Sequence, residues 1–145
     1  MKNELREFFP NWPEEGTYAV TLTMKQKSCG QELDEIRASQ NLRHFLNLLN
    51  RACFASAARR YNKKVEVIPA LETSGAGRLH YHLTLRNPRP EEALLFEQKI
   101  KDCWSKTHFA DDEINIKRTI FVAGWNRYIT KEKHVNIDWE NYHTA

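Results

Sequence analysis

Gly77-Arg78-Leu79-His80-Tyr81-His82-Leu83-Thr84-Leu85 is an alternating run in which two histidines flank one apolar residue. At a side-chain period of two, Arg78, His80, His82, Thr84 and Arg86 share one face, while Leu79, Tyr81, Leu83 and Leu85 share the other. That pattern predicts a half-buried strand with an imidazole pair on its polar side.

The residues ahead of it predict the partner strand. Val65 to Glu72 reads as a strand, with Pro69 marking it as an edge or bulged one, and Thr73 to Gly77 carries turn chemistry. If Gly75-Ala76-Gly77 is a three-residue loop, with glycine supplying the positive φ, Ser74 pairs with Arg78 and Glu72 falls opposite His80. Directly opposed residues share a face with Cβ atoms about 4.5 to 5.5 Å apart, so Glu72, His80 and His82 converge. Moving the register by one residue turns Glu72 away.

Further out, Tyr18 to Lys25 alternates as a first strand, with Val20, Leu22 and Met24 inward and Ala19, Thr21, Thr23 and Lys25 outward. From about Leu33 to Tyr61 the period becomes helical, with Leu42, Phe45, Leu46, Leu49, Ala52, Cys53 and Ser56 at steps of three and four. The part through Ser39 is less regular and is left open between helix and loop. The basic end, Arg59, Arg60, Lys63 and Lys64, suits either the helix C-terminus or a phosphate contact. Glu91 to Thr107 predicts a helix with Ala93, Phe96, Ile100 and Cys103 inward, and Glu113 to Arg118 a fourth strand. A short helix after Gly124 and a terminal strand over His134 to Trp139 complete the chain. The order β-α-β-β-α-β predicts an α+β fold, an antiparallel sheet of about five strands with helices on one face and the other face open for a ligand.

Length and composition fit one domain over residues 1–145. Residues 1–16, with Phe8, Phe9, Trp12 and two prolines, are expected to pack against it as an extension, and 134–145 to form a strand or tail. The 41% hydrophobic and 28% charged content sets disorder aside. No apolar run approaches membrane-spanning length and Met1 to Glu7 lacks a signal-peptide core, so the expectation is an intracellular protein with no membrane partner, cytoplasmic in a bacterial or phage setting. Cys29, Cys53 and Cys103 are odd in number and widely spaced, which argues for reduced thiols over disulfides or a zinc knuckle. A net charge of +3 permits a nucleic-acid partner without requiring one.

Two imidazoles and a carboxylate suit a divalent ion and leave positions open for substrate. Mn²⁺ or Mg²⁺ would be held weakly enough to need a substrate oxygen as well. The competing reading makes the histidines ordinary hydrogen-bonded surface residues and Glu72 a solvated acid. Downstream, Tyr128 and Lys131 stand at i, i+3 and share one side of a helix. A phenol with pKa near 10 is only about 0.1% ionised at pH 7, so its use as a nucleophile needs a nearby metal or cation.

An acid on the preceding strand, His80-Tyr81-His82 as histidine-hydrophobe-histidine, and Tyr128-Ile129-Thr130-Lys131 as Tyr-x-x-Lys together resemble the replication-initiator (Rep) class of the HUH endonucleases. Val20-Thr21-Leu22-Thr23-Met24 is similar to that family's first, structural motif, and the likeness runs from about residue 17 to 133. The resemblance implies a metal held by Glu72, His80 and His82 that polarises a scissile phosphate of single-stranded DNA. It also implies attack by Tyr128 to leave a 5′-phosphotyrosine and a free 3′-OH, with Lys131 offsetting charge. Such a protein initiates rolling-circle replication at an origin hairpin. Without a P-loop in this chain, unwinding falls to a separate helicase. Thr21, Thr23, Lys25, Arg78, Arg86 and Lys117 are the candidate DNA contacts.

Two other readings remain. A single-tyrosine HUH transposase shares the order of histidines before tyrosine, although the lysine three residues on favours Rep. A non-catalytic RNA-recognition module shares the β-α-β-β-α-β order but stacks bases on outward aromatics, which the first and third strands do not offer.

Overall fold

The computed structural model describes residues 9–74, 77–118, 121–130 and 135–145. Among the described residues are seven strands, β1 (Thr17–Met24), β2 (Lys27–Ser28), β3 (Gln31–Glu32), β4 (Val67–Ser74), β5 (Arg78–Arg86), β6 (Ala110–Lys117) and β7 (Val135–Ile137), and four helices. These are α1 (Glu35–Phe54), α2 (Ser56–Arg60), α3 (Ala93–Ser105) and α4 (Val122–Thr130). Five strands form one antiparallel sheet in the order β6-β1-β5-β4-β7, with the histidine strand β5 at its centre. The α+β architecture and the five-stranded sheet are those expected.

The central position of β5 follows from its two-sided pattern. Leu79, Tyr81, Leu83 and Leu85 are buried with Val20, Leu22 and Met24 of β1 under α1 and α3, where Phe45 meets Trp104 edge-on at 5.6 Å. Tyr81 is fully buried and its hydroxyl donates to Asp138 at 2.8 Å. Burial first, and then the Asp138 charge, push its phenol far above the ordinary range. The tyrosine between the histidines is therefore a core residue on the opposite face from them.

One open sequence reading is decided and three expectations are corrected. The stretch through Ser39 is helix and not loop, because Asp34 accepts from the Arg37 N–H at 2.7 Å as an N-cap and Ala38 extends the apolar stripe one turn ahead of Leu42. The single helix expected as far as Tyr61 breaks at Ala55, whose φ of 50° separates α1 from α2. The final helix begins at Val122, ahead of Gly124. The strand carrying Pro69 is no edge over its second half, since β7 pairs with residues 70–72. The hairpin of β2 and β3 escaped the sequence reading because two-residue strands show no alternation. Its turn is made by Cys29 and Gly30, both at positive φ.

Replacing the cap, Asp34→Ala, is expected to lower stability by about 1 kcal/mol. The measurement is the urea midpoint, and an unchanged midpoint would show that the Arg37 N–H needs no side-chain acceptor.

Candidate metal and tyrosine site

The hairpin register brings the acid to the histidines. Glu72 pairs opposite His80 and Ala70 opposite His82 on one side, while Thr23 and Thr21 pair opposite the same two histidines on the other. Glu72 Oε2 lies 2.6 Å from His82 Nε2 and 3.5 Å from His80 Nε2, and one ligand atom from each residue fits within 4.8 Å of the others. The two imidazole rings meet edge-on at 4.9 Å. Two nitrogens and one carboxylate so gathered match a borderline divalent ion, and three protein ligands leave coordination positions open.

Burial sets the protonation state. His82 is 7% exposed, and this desolvation lowers its pKa from the ordinary value against the opposing pull of the Glu72 hydrogen bond and charge. His80 adds a smaller lowering of its own. A neutral imidazole has one N–H and one lone pair, and Thr21 Oγ1 stands 3.1 Å from His82 Nδ1. When Nε2–H donates to Glu72, the threonine hydroxyl donates to Nδ1. When Nε2 offers its lone pair to a cation, Nδ1–H donates to the same hydroxyl. Thr21 thus serves both tautomers, as ligand-orienting partners do.

Helix α4 lies on this face and not beside α1 and α3. Asn126, 4% exposed, accepts from the Thr84 hydroxyl at 2.6 Å, and the Trp125 indole N–H donates to the Leu83 carbonyl at 3.1 Å. Ile129 is buried against Ala70, with Trp125 and Ile137 packed around the pair. These anchors hold the Tyr128 ring 6.2 Å from the His82 ring and stacked on Trp125 at 5.6 Å and 24°. Tyr128 is 52% exposed. The sheet face expected to be open is therefore covered on its β4–β5–β7 side and carries Thr21, Thr23, Asn115 and Lys117 on its β1–β6 side.

Residues 17–133, from β1 through α4, match the family model of the ORF2-type replication-associated proteins. The chain belongs to this family. No curated protein and no solved structure matches it. A replication-associated protein works on DNA, and the matched segment contains both the Glu72–His80–His82 cluster and Tyr128. No helix among the described residues is long and apolar enough to cross a membrane.

Other sequence candidates of this replication-associated protein divide by position. Thr21 and Thr23 border the cluster, and the Thr23 hydroxyl donates to the Glu113 carbonyl. Lys25, Arg78 and Lys117 are exposed at strand ends. Arg86 sits six residues along β5 from His80, about 20 Å at strand rise. It donates to the Glu15 carbonyl at 2.7 Å and to Thr17 Oγ1 at 3.1 Å, tying the N-terminal segment to the sheet. Lys131 lies outside the described residues. Among the positions that sequence reasoning missed, Asn126 and Trp125 fix α4. The signal was the stripe Val122, Asn126, Ile129 and Thr130, buried at helical spacing with an amide in its middle.

Proposed function

We propose that this replication-associated protein is an HUH-type initiator of rolling-circle replication that nicks and rejoins single-stranded DNA through Tyr128. One observation carries the reading: α4 places the Tyr128 ring beside His82, on the same sheet face as a carboxylate and two imidazoles gathered for a divalent ion.

The donor set fits Mn²⁺ or Mg²⁺, with Glu72, His80 and His82 as its ligands and Thr21 orienting His82. When bound, such an ion supplies Lewis-acid polarisation of the scissile phosphate. The Tyr128 oxygen forms the new bond to phosphorus, the bond from phosphorus to the 3′ oxygen breaks, and the phenolic proton ends on that leaving oxygen. The products are a 5′-phosphotyrosyl strand and a free 3′-OH. Because one phosphodiester replaces another, the 3′-OH can reverse the step and join strands. Trp125, stacked on the Tyr128 ring, holds the nucleophile's orientation, and Lys131 is assigned the charge-offsetting role by the family resemblance alone. Thr21, Thr23 and Lys117 line the uncovered half of the face, where a single strand would lie. An origin hairpin is the expected substrate and a separate helicase the expected partner.

The test is incubation with labelled origin-like oligonucleotides and Mn²⁺, followed by denaturing electrophoresis. An SDS-resistant adduct to the new 5′ end is expected, and its absence would overturn the assignment. Thr21→Val removes the hydroxyl at His82 Nδ1 and is expected to weaken Mn²⁺ binding by about tenfold, with Thr21→Ser restoring it. Calorimetric titration reads this without any turnover, and equal affinity for Val and wild type would remove Thr21 from the site.

A further inference from the structure

Residues 36–65 contain seven Lys and Arg and no Asp or Glu, a formal +7 within a chain of net +3, so the rest of the chain carries −4. This segment is α1, α2 and the loop that follows. Two of its cations are paired with carboxylates at the surface: Arg37 with Asp34 at 3.5 Å and Arg43 with Glu140 at 3.3 Å. Arg51, Arg59, Arg60, Lys63 and Lys64 are exposed and have no carboxylate within 4.0 Å among the described residues.

Attraction to helix C-termini accounts for part of this. Arg51 is in the last turn of α1 and Arg59 and Arg60 in that of α2, where the partial negative charge of the helix end favours a cation. It does not account for Lys63 and Lys64, which lie beyond the helix. Nor does it account for the shape. The cations converge on a groove of about 840 Å³ lined by Arg51, Arg59, Lys63 and Lys64 with the amides of Asn47 and Asn62 between them. Asn50, also on its wall, accepts from the Val65 N–H at 2.7 Å and so holds the basic loop against α1.

We propose that this groove binds the phosphate backbone of double-stranded DNA, apart from the strand at the histidine cluster. Unpaired cations interspersed with amide donors are the chemistry that neutralises and positions phosphates. No aromatic side chain lines the groove among the described residues, so it offers no platform for an unpaired base, which favours duplex over single strand. Its position separates the two contacts. Helix α1 packs on the Tyr81 face of the sheet, opposite the histidines, and a sheet-to-helix spacing plus a helix radius puts the two surfaces about 15 to 20 Å apart. The DNA that meets the groove is a different stretch from the one that meets Tyr128. Only the choice of DNA draws on the family's replication role. Nicking itself is not required.

The experiment uses the full chain and a labelled 20-base-pair duplex, followed by anisotropy from about 50 to 200 mM salt. Each phosphate contact contributes about 0.9 to the salt slope, so four contacts make the wild-type affinity fall by about 10²-fold more over that range than the affinity of a variant lacking them. The quadruple change Arg51→Gln, Arg59→Gln, Lys63→Gln and Lys64→Gln is expected to show that lower slope, with an unaltered melting temperature. The charge-preserving set Arg51→Lys, Arg59→Lys, Lys63→Arg and Lys64→Arg is expected to keep the wild-type slope. Equal slopes for the glutamine variant and the wild type would overturn the inference, as would tighter binding of an RNA duplex lost through the same changes. Adduct formation on a short single strand is expected to be unaffected by the glutamine set, and its loss in parallel would merge the groove with the nicking site. Failure of the wild type to form any adduct bears on the nuclease reading and leaves the duplex measurement intact.

Discussion

Tyr128→Phe is expected to abolish the covalent adduct while leaving the fold, divalent binding and DNA affinity in place. The ring is 52% exposed and stacks on Trp125, contacts that phenylalanine keeps, so the melting temperature should move little. What is lost is the hydroxyl to which the proposed mechanism assigns the attack on phosphorus. Neither core tyrosine can replace it: Tyr81 points into the core with its phenol held protonated by burial and Asp138, and Tyr18 is buried on that same core face. Removing a nucleophile takes away most of the catalysed rate, so a fall of at least about 10⁴-fold is expected. The measurement is SDS-resistant adduct on a labelled fragment with Mn²⁺ present. Persistent adduct in the phenylalanine variant would move the nucleophile elsewhere. Loss of both adduct and melting temperature would instead make Tyr128 a packing residue. Trp125→Ala is the companion test, since it frees the ring without removing the oxygen and is expected to slow adduct formation and not end it.

The gathering of Glu72 with the two histidines was legible in the sequence, whereas Tyr128 was legible only as a residue type. Counting the loop ending at Gly77 put Ser74 opposite Arg78 and Glu72 opposite His80, and the pairing has that register. A short loop leaves few registers, and one apolar face leaves only those of correct parity. The placement of α4 was not legible. Its sequence shows amphipathic spacing, but the partner of its buried stripe, Ala70 and Thr84, belongs to the polar side of two strands that looked solvent-facing. Small residues at these positions let a helix approach, a role that alternation alone does not reveal. Arg86 shows the opposite limit. Its alternation put it on the histidine face, yet six residues of strand rise carry it away to the N-terminal segment. The capped start of α1 at Asp34 was written in the sequence as Asp before Glu35, and the irregular apolar spacing ahead of Leu42 obscured it.

Loss of either histidine should uncouple the protein from divalent ions, and His82 carries the larger effect. Its Nε2 lies closest to Glu72, and its Nδ1 is held by Thr21, so His82→Ala removes a proposed ligand together with its contacts to both. An ion that binds only the folded state adds about 2.7 kcal/mol of stability at a hundred times its dissociation constant. Mn²⁺ is therefore expected to raise the melting temperature of the wild type and to leave that of His82→Ala and His80→Ala where it was. An equal rise in the variants would dismiss the ligand set. Glu72→Gln keeps the shape and a neutral acceptor, and it isolates the contribution of the carboxylate charge. The pH dependence without metal separates ligation from packing. Burial depresses the His82 pKa, so the unfolded chain takes up the proton more readily than the folded one. The stabilisation is fully present above the ordinary histidine pKa of about 6.5 and is lost as pH falls toward the depressed folded value. Thermal melts of the wild type should drop across that window, and the drop should be shallower in His82→Ala. Protonation also removes the lone pair that a cation needs, so Mn²⁺-induced stabilisation is expected to fade at the low end of the same window. A metal shift that persisted well below it would place the ion on carboxylates alone and strip His82 of its role.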